Sequence, residues 1–176
     1  MPGACAYVIG EAPLIADLLA AGLRLTNEPR DADVVVLSWD RDFSYRKLDD
    51  AFQALRRGAR LVATNPDVSC PMAGDEFVPD CGAIAAAVEA CSMRQVEVYA
   101  GKPSTLLAEV ALERMGVAAG DCLMVGDRPN TDILFGHNAG MATALVLTGA
   151  GRLTPLTEAP ALPDFILESI AELTIP

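Results

Sequence analysis

The chain has 176 residues with a formal net charge of −11, and 52% of its residues are hydrophobic. This hydrophobic content predicts a packed core, while the acidic balance disfavours binding to a nucleic-acid backbone. No apolar run approaches the length of about 18 residues that marks a membrane span, and the N-terminal stretch lacks the basic leader of a signal peptide, so we expect no membrane association.

Five cysteines are spread along the chain, and none of them forms a Cys-x-x-Cys pair. An odd number of scattered cysteines is typical of free thiols in a reducing compartment rather than of a disulfide framework. The sequence therefore predicts a cytoplasmic protein.

Short apolar runs alternate with amphipathic helical patterns along the chain. The apolar runs predict strands at residues 5–10, 33–38, 59–64, 96–101, 122–127, 143–149 and 164–170. The helical patterns predict helices at residues 12–22, 45–57, 82–93, 104–116 and 131–140. Strands separated by helices indicate βαβ units and a mostly parallel sheet buried on both faces, which is an α/β fold.

Two further features concern the organisation of the chain. A domain boundary is predicted near residues 92–96, which divides the chain into residues 1–93 and 94–176. The longest irregular stretch, residues 64–82, is rich in Pro, Asp and Gly. A loop of this length in a compact chain is more often functional than not.

Two carboxylates lie close together where one predicted strand ends and the next helix begins. Asp127 ends the run "CLMVGD", and Asp132 begins the following helix, with Thr131 as a candidate N-cap. Mg²⁺ takes oxygen ligands and keeps several waters, so one carboxylate that binds directly and a second that orients water would suit it. Alternatively, Asp132 is a helix N-terminal acid and Asp127 a turn residue. The spacing alone leaves both interpretations open.

A lysine follows another predicted strand. Lys102 lies in "VYAGKPS", and Pro103 opens the next helix. Because parallel strands end at the same edge of a sheet, Lys102 would lie near Asp127 and could neutralise a phosphoryl group there. The stretch is not a P-loop, since Val96 stands where the first Gly should be. A solvated lysine is the simpler alternative.

Taken together, these stretches resemble a known family. "GKPS", a helix and then "MVGDRPNTDILFGHNAGM" resemble the last two motifs of the haloacid dehalogenase superfamily, in its NagD-like and 4-nitrophenylphosphatase-like subfamily. Upstream, "YVIGE", "DVVVLSWDRDFSYRKLDDAFQALRRGARLVATNPD" and "CGAIAAAVEA" resemble that subfamily's cap domain. The resemblance implies an α/β cap domain at residues 1–93 and a three-layer, Rossmann-like partial core at residues 94–176.

The resemblance also implies an activity and roles for particular residues. The expected activity is Mg²⁺-dependent hydrolysis of a phosphate ester of a small metabolite. Lys102 would be the catalytic lysine that binds phosphate, and Asp127 would bind Mg²⁺ directly. Asp132 would be the second catalytic acid of the metal site, holding metal-bound water. The family's substrate-selecting cap loop corresponds to the segment around Asn65 and Asp67.

The chain departs from this family at one point. The superfamily attacks phosphorus with an aspartate of an Asp-x-Asp-Gly motif, located on the first core strand. The first predicted strand here, "CAYVIG", has no aspartate, and the motif does not occur in the sequence. The chain therefore looks like the C-terminal part of a phosphatase, and we expect it to be inactive by itself.

Two alternatives remain. The chain could be a non-catalytic binding or interaction remnant of such a phosphatase. It could also be a small capless phosphatase in which Asp40 and Asp42 replace the missing motif and Thr64 follows the next strand. Lys102, Asp127 and Asp132 would then keep their roles. Against this last interpretation, Asp42 is followed by Phe-Ser rather than by the Gly-Thr whose glycine lets the backbone turn beside the phosphate.

The absence of the motif also affects the sheet. In the family the strand that bears the nucleophile lies beside the strand that ends at Asp127. Without it, "CLMVGD" would be an apolar edge strand, and such edges pair readily with other chains. We therefore predict a homo-oligomer or association with a companion segment through this edge.

Overall fold

The alternation of apolar runs and helical patterns builds two separate parallel sheets. The computed structural model describes residues 3–74, 76–149 and 155–174. The chain forms two compact units, Met1–Ala100 and Gly101–Pro176. The α/β class predicted from the sequence is confirmed. Within the described residues, no helix combines the length and the apolar character needed to cross a membrane.

The first unit contains seven strands and three α-helices among its described residues. In chain order these are β1 (Cys5–Ile9), α1 (Ala12–Ala20), β2 (Arg24–Leu25), β3 (Val34–Leu37), α2 (Tyr45–Arg56), β4 (Arg60–Ala63), β5 (Ser69–Pro71), β6 (Phe77–Pro79), α3 (Cys81–Ser92) and β7 (Val98–Tyr99). Five strands form a parallel sheet in the order β2, β1, β3, β4 and β7. β5 and β6 form a separate antiparallel hairpin.

Burial on both faces explains the apolar character of the central strands. All four residues of β3 are buried, and Val35 of β3 pairs with Tyr7 on one side and Leu61 on the other. The main core lies on the side of α2 and α3, where Leu55 and Val88 pack against the sheet. Leu14 and Leu18 of α1 pack with the residues of the opposite face.

The second unit contains a smaller parallel sheet. Its elements in chain order are α4 (Thr105–Met115), β8 (Leu123–Gly126), α5 (Leu134–Ala139), β9 (Ala142–Val146) and β10 (Phe165–Leu167). The strand order is β10, β9, β8, so within the described residues β8 lies at the edge of its sheet. A π-helical turn, Pro129–Ile133, links β8 to α5.

The structure adds detail to the sequence interpretation. All seven predicted strands and five predicted helices are present, most of them shorter than predicted; β9 and α3 each begin one residue earlier, at Ala142 and Cys81. The hairpin of β5 and β6 lies within the stretch of residues 64–82, for which the sequence predicts an irregular loop. The first unit extends to Ala100, beyond the predicted boundary at residues 93 and 94, because β7 pairs with β4 and so joins the first sheet.

Candidate functional site

Lys102 is the first side chain of the candidate site. It lies at the start of the second unit, before the cis peptide bond to Pro103. Ser104 then caps α4, because its hydroxyl accepts a hydrogen bond from the backbone N–H of Leu106. The Lys102 ammonium donates to Oδ1 of Asp132 at 2.5 Å. The Lys102 side chain as a whole is 42% exposed.

Asp132 is the buried centre of the site. It belongs to the π-helical turn and is only 4% exposed. Its Oδ2 accepts hydrogen bonds from the backbone N–H groups of Asp127 and Arg128, each at 3.1 Å. With Lys102 on the other oxygen, one carboxylate joins the end of β8 to the loop that precedes α4. Hydrogen bonds to an ionised acceptor are stronger than neutral ones, which favours a fixed geometry here.

Asp127 directly follows β8 and lies against a second loop. Its carboxylate is next to Gly149, in the segment after β9: an ideal Cβ at position 149 would lie 2.7 Å from Cγ of Asp127 and closer still to Oδ2. Gly126, the residue before Asp127, has a similar relation to Asp132, since an added Cβ would overlap Cβ, Cγ and Oδ2 of that side chain. Each of the two acids is therefore packed against a glycine.

The loop that carries Lys102 makes a further contact with α5, in the same unit. Asn138, in α5, donates a hydrogen bond from Nδ2 to the backbone oxygen of Pro103 at 3.3 Å. Lys102 is thus held through its own ammonium and through the residue that follows it.

The donor chemistry of these residues is suited to Mg²⁺. Two carboxylates, those of Asp127 and Asp132, lie together at the end of β8, and that of Asp132 already accepts hydrogen bonds from three donors. Among the described residues, no group of three or more His, Cys, Asp or Glu side chains comes together as a metal site. Mg²⁺ does not require one, because it is commonly bound through one or two carboxylates and keeps several waters. The donor set therefore fits Mg²⁺ and does not resemble a closed structural site.

The predicted substrate-binding residues lie in the first unit. Oδ1 of Asn65 accepts from the backbone N–H of Asp67 at 2.9 Å, a local turn. The backbone oxygen of Asp67 accepts from the N–H of Gly82 at the start of α3, at 2.7 Å. The "TNPD" segment is thereby fixed against α3, and its role in substrate binding remains a prediction.

The residues of the capless alternative also lie in the first unit and have local partners there. Asp40 is 6% exposed; its Oδ1 accepts from the backbone N–H of Asp42 at 3.0 Å and its Oδ2 from the ammonium of Lys47 at 2.6 Å. Thr64 donates from its hydroxyl to the hydroxyl of Ser38 at 3.1 Å. These contacts give Asp40 a structural role in the turn that precedes α2.

Sequence reasoning selected Lys102, Asp127 and Asp132, and the structure brings these three together. It missed Gly126, Gly149 and Asn138. The glycine of the "VGD" sequence gave a weak signal, since a glycine directly before a strand-end acid often marks a close approach. The contacts of Gly149 and Asn138 depend on how loops distant in the sequence meet, and the sequence carries no local signal for them.

Comparisons with known proteins agree with these observations. The profile of the HAD-hydrolase-like family matches residues 99–173. The sugar-phosphatase AraL of Bacillus subtilis (strain 168) is 38% identical over 168 residues, which cover 96% of this chain and 61% of AraL. Human chronophin is 42% identical over 187 residues, covering 98% of this chain and 62% of chronophin. The chain thus spans about three fifths of the length of these curated relatives.

The fold is shared with solved structures as well. The structure of NagD from Escherichia coli K-12 matches with a TM-score of 0.86 and 36% sequence identity. The match covers 99% of this chain and 67% of the NagD chain. At this identity and coverage the similarity extends through both units of the chain rather than to a single motif.

Proposed function

Because the chain belongs to the haloacid dehalogenase (HAD) superfamily, in its NagD-like branch, we propose that it carries the phosphate-binding and metal-binding part of a Mg²⁺-dependent phosphomonoester hydrolase. The first unit would be the cap domain and the second unit part of the catalytic core. This proposal rests on the buried carboxylate of Asp132, which accepts hydrogen bonds both from the ammonium of Lys102 and from the backbone N–H of Asp127 at the end of β8.

In this proposal Lys102 binds the phosphoryl group. Its ammonium is hydrogen-bonded to Asp132, and the side chain as a whole is 42% exposed. In the proposal the ammonium also donates to a phosphoryl oxygen. A lysine supplies a compact positive charge with three donors, which suits a group that carries negative charge on several oxygens. Asp132 keeps the ammonium oriented and so limits the reorganisation needed when substrate binds.

Asp127 would hold the metal. Its carboxylate follows the end of β8, where the backbone is fixed by the bond from its own N–H to Asp132. Mg²⁺ held there would neutralise charge on the phosphoryl oxygens and align the ester for in-line attack. Asp132, through water, would hold the outer part of the coordination shell.

The acceptor of the phosphoryl group is the missing component. The superfamily motif Asp-x-Asp-Gly does not occur in the 176 residues. We place the nucleophile in the part of the relatives' length that this chain does not match, and we expect the chain to be inactive when it is assayed alone. The local contacts of Asp40 support this assignment over the capless alternative, because they account for that residue without catalysis.

The same site supports a proposal for the substrate class. A single lysine and a single metal suit one terminal phosphate. The relative AraL is named a sugar-phosphatase. We propose a small phosphorylated metabolite as substrate, with Asn65 and Asp67 on the segment that selects it. All five cysteines are free thiols, which supports a reducing, cytoplasmic setting.

The proposal is tested by supplying the missing nucleophile motif. The chain is fused at its N-terminus to the unmatched segment of a relative that bears Asp-x-Asp-Gly, and hydrolysis of p-nitrophenyl phosphate is measured with Mg²⁺ and with EDTA. We expect activity only in the fusion and only with Mg²⁺, and loss of that activity in Lys102→Met and Asp127→Asn. A fusion that binds inorganic phosphate but turns nothing over would favour a non-catalytic remnant. Activity in the unfused chain would contradict the proposal.

A further inference from the structure

We propose that Gly149 is a positioning residue for the metal site, because the lack of a side chain at this position is what allows Asp127 to adopt its metal-binding orientation. The inference rests on the proposed function, and it adds a residue that belongs neither to the motif around Asp127 nor to the one around Lys102. It concerns the loop after β9.

The first observation is the contact between the two residues. A Cβ at position 149 would lie 2.7 Å from Cγ and 2.9 Å from Cβ of Asp127, with Oδ2 nearer still. Carbon atoms in favourable contact are about 3.5–4.0 Å apart, so even one methyl group cannot share this space with the present Asp127 rotamer. The three nearest atoms all belong to the Asp127 side chain.

The second observation is that the backbone itself would tolerate alanine. Gly149 is exposed and is not among the glycines with positive φ. Its substitution therefore carries no penalty of the kind met at Gly140, whose φ is +74°. Rotation of Asp127 about its χ1 would relieve the overlaps with Cγ and Oδ2. A small shift of the exposed loop at residue 149 would relieve the 2.9 Å approach to Cβ, which χ1 rotation does not move.

Gly126 also lies against a site carboxylate, but it is a less suitable position for a test than Gly149. At Gly126 an added Cβ would overlap Cβ of Asp132, a residue that is 4% exposed and fixed by Lys102. A substitution there would disturb the buried centre of the site. A substitution at Gly149, in an exposed loop, falls mainly on the carboxylate of Asp127, so it displaces the proposed metal ligand without changing its chemistry.

The experiment compares three variants of the full chain with the wild type. Mg²⁺ alone is titrated, and binding is followed by the backbone amide shifts of Asp127 and Arg128. Gly149→Ala is the test variant, Asp127→Asn the reference for loss of the ligand, and Gly120→Ala the matched control. Gly120 has ordinary φ and no atom within 4 Å of an added Cβ. Three-bond couplings report the χ1 of Asp127 in the absence of metal.

We expect Gly149→Ala to raise the dissociation constant for Mg²⁺ by about 10- to 100-fold, the range typical of residues that orient a metal ligand. The χ1 of Asp127 should change in this variant, while Gly120→Ala matches the wild type in both readouts. The thermal unfolding of Gly149→Ala should stay close to that of Gly120→Ala.

The remaining outcomes are each decisive. Equal Mg²⁺ affinity in Gly149→Ala and wild type would overturn the inference and leave the proposed function standing. Failure of Gly149→Ala to fold beside an intact Gly120→Ala would also overturn it, because the clash would then act through the backbone. A wild-type chain in which Mg²⁺ does not perturb Asp127 at all would overturn the metal role in the proposed function, and this inference with it.

Discussion

The ammonium of Lys102 lies 2.5 Å from Oδ1 of Asp132, an aspartate that is almost completely buried. The first unit contains a pair of the same kind, in which the ammonium of Lys47 lies 2.6 Å from Oδ2 of Asp40. Both pairs join a partly exposed lysine, 42% and 33% exposed as side chains, to a buried aspartate. Only the first pair belongs to the proposed site, so the second serves as its internal control.

Replacing the two lysines should separate stability from function. Lys102→Met and Lys47→Met each leave a buried carboxylate without its cation, and each should lower the free energy of unfolding by about 1–3 kcal/mol, less than for a fully buried pair. In the completed fusion, Lys102→Met should reduce kcat/KM by about a hundredfold or more, since a charged donor to the phosphoryl group is lost. Lys47→Met should keep most of the activity. Equal loss of activity in both variants would contradict the assignment of Lys102.

Asp40→Asn tests the capless alternative directly. The amide introduced by this substitution lacks the charge that holds Lys47 but can still accept the hydrogen bond from the N–H of Asp42, so we expect reduced stability and retained activity in the fusion. The measurement is Mg²⁺-dependent hydrolysis of p-nitrophenyl phosphate, beside a denaturant titration of the same variant. Activity in the unfused chain that is abolished in a folded Asp40→Asn variant would favour Asp40 as the nucleophile.

Much of the fold could be predicted, because burial on both faces gives parallel strands a simple signature. The run "VVVLS" predicted β3, and all four of its residues are buried. This apolar signature is absent from short strands that are defined only by their pairing with another strand. β2 has only two residues, Arg24 and Leu25, and is defined by pairing with β1. The hairpin of β5 and β6 contains Pro71 and Pro79, and from the sequence alone two prolines in so short a segment predict a loop rather than a pair of strands.

The site was predictable where it depends on motifs and not where it depends on packing. Lys102 and Asp132 were identified from two stretches that are distant in sequence, and the structure joins them in one ion pair. The helix predicted from residue 131 begins as an α-helix only at Leu134, because the π-helical turn directs Asp132 inward first. Gly149 gave no sign of its contact with Asp127, since a glycine after a strand is most simply a turn.

The edge of the second sheet should promote self-association. β8 pairs only with β9 among the described strands, and Leu123 at its start is 39% exposed. Lysine on an edge strand opposes pairing with another chain, so Leu123→Lys should shift the unfused chain toward monomer in sedimentation velocity at micromolar concentration. Leu162→Lys, at a residue 68% exposed and outside the strands, is the control and should not change the distribution. A wild-type chain that sediments as a single monomeric species would contradict this prediction.

The second unit should be sensitive to acid through Asp164. Its Oδ2 accepts from the backbone N–H of Thr143 at 2.8 Å and from the Thr143 hydroxyl at 3.0 Å, and these bonds lower the pKa of Asp164 below its usual value. A lowered pKa in the folded state adds stability at neutral pH, and this is lost as the pH falls below the unfolded value, about 4, and through the folded one. Asp164→Asn should therefore be less stable than wild type at neutral pH, and the two should converge in acid.

Denaturant titrations at neutral and acidic pH measure this difference, and Asp49→Asn on the surface of the first unit is a control that should not reproduce it. A gap between Asp164→Asn and wild type that stays constant with pH would show that the carboxylate charge plays no part.

The proposed function requires that Asp127, beside Lys102 and Asp132, hold a divalent ion. Crystals of the full chain soaked in Mn²⁺, a scattering substitute for Mg²⁺, would locate the ion by its anomalous signal. We expect a peak within about 2.3 Å of a carboxylate oxygen of Asp127, absent in Asp127→Asn. A peak confined to the first unit, beside Asp40 and Asp42, with none at Asp127, would contradict it.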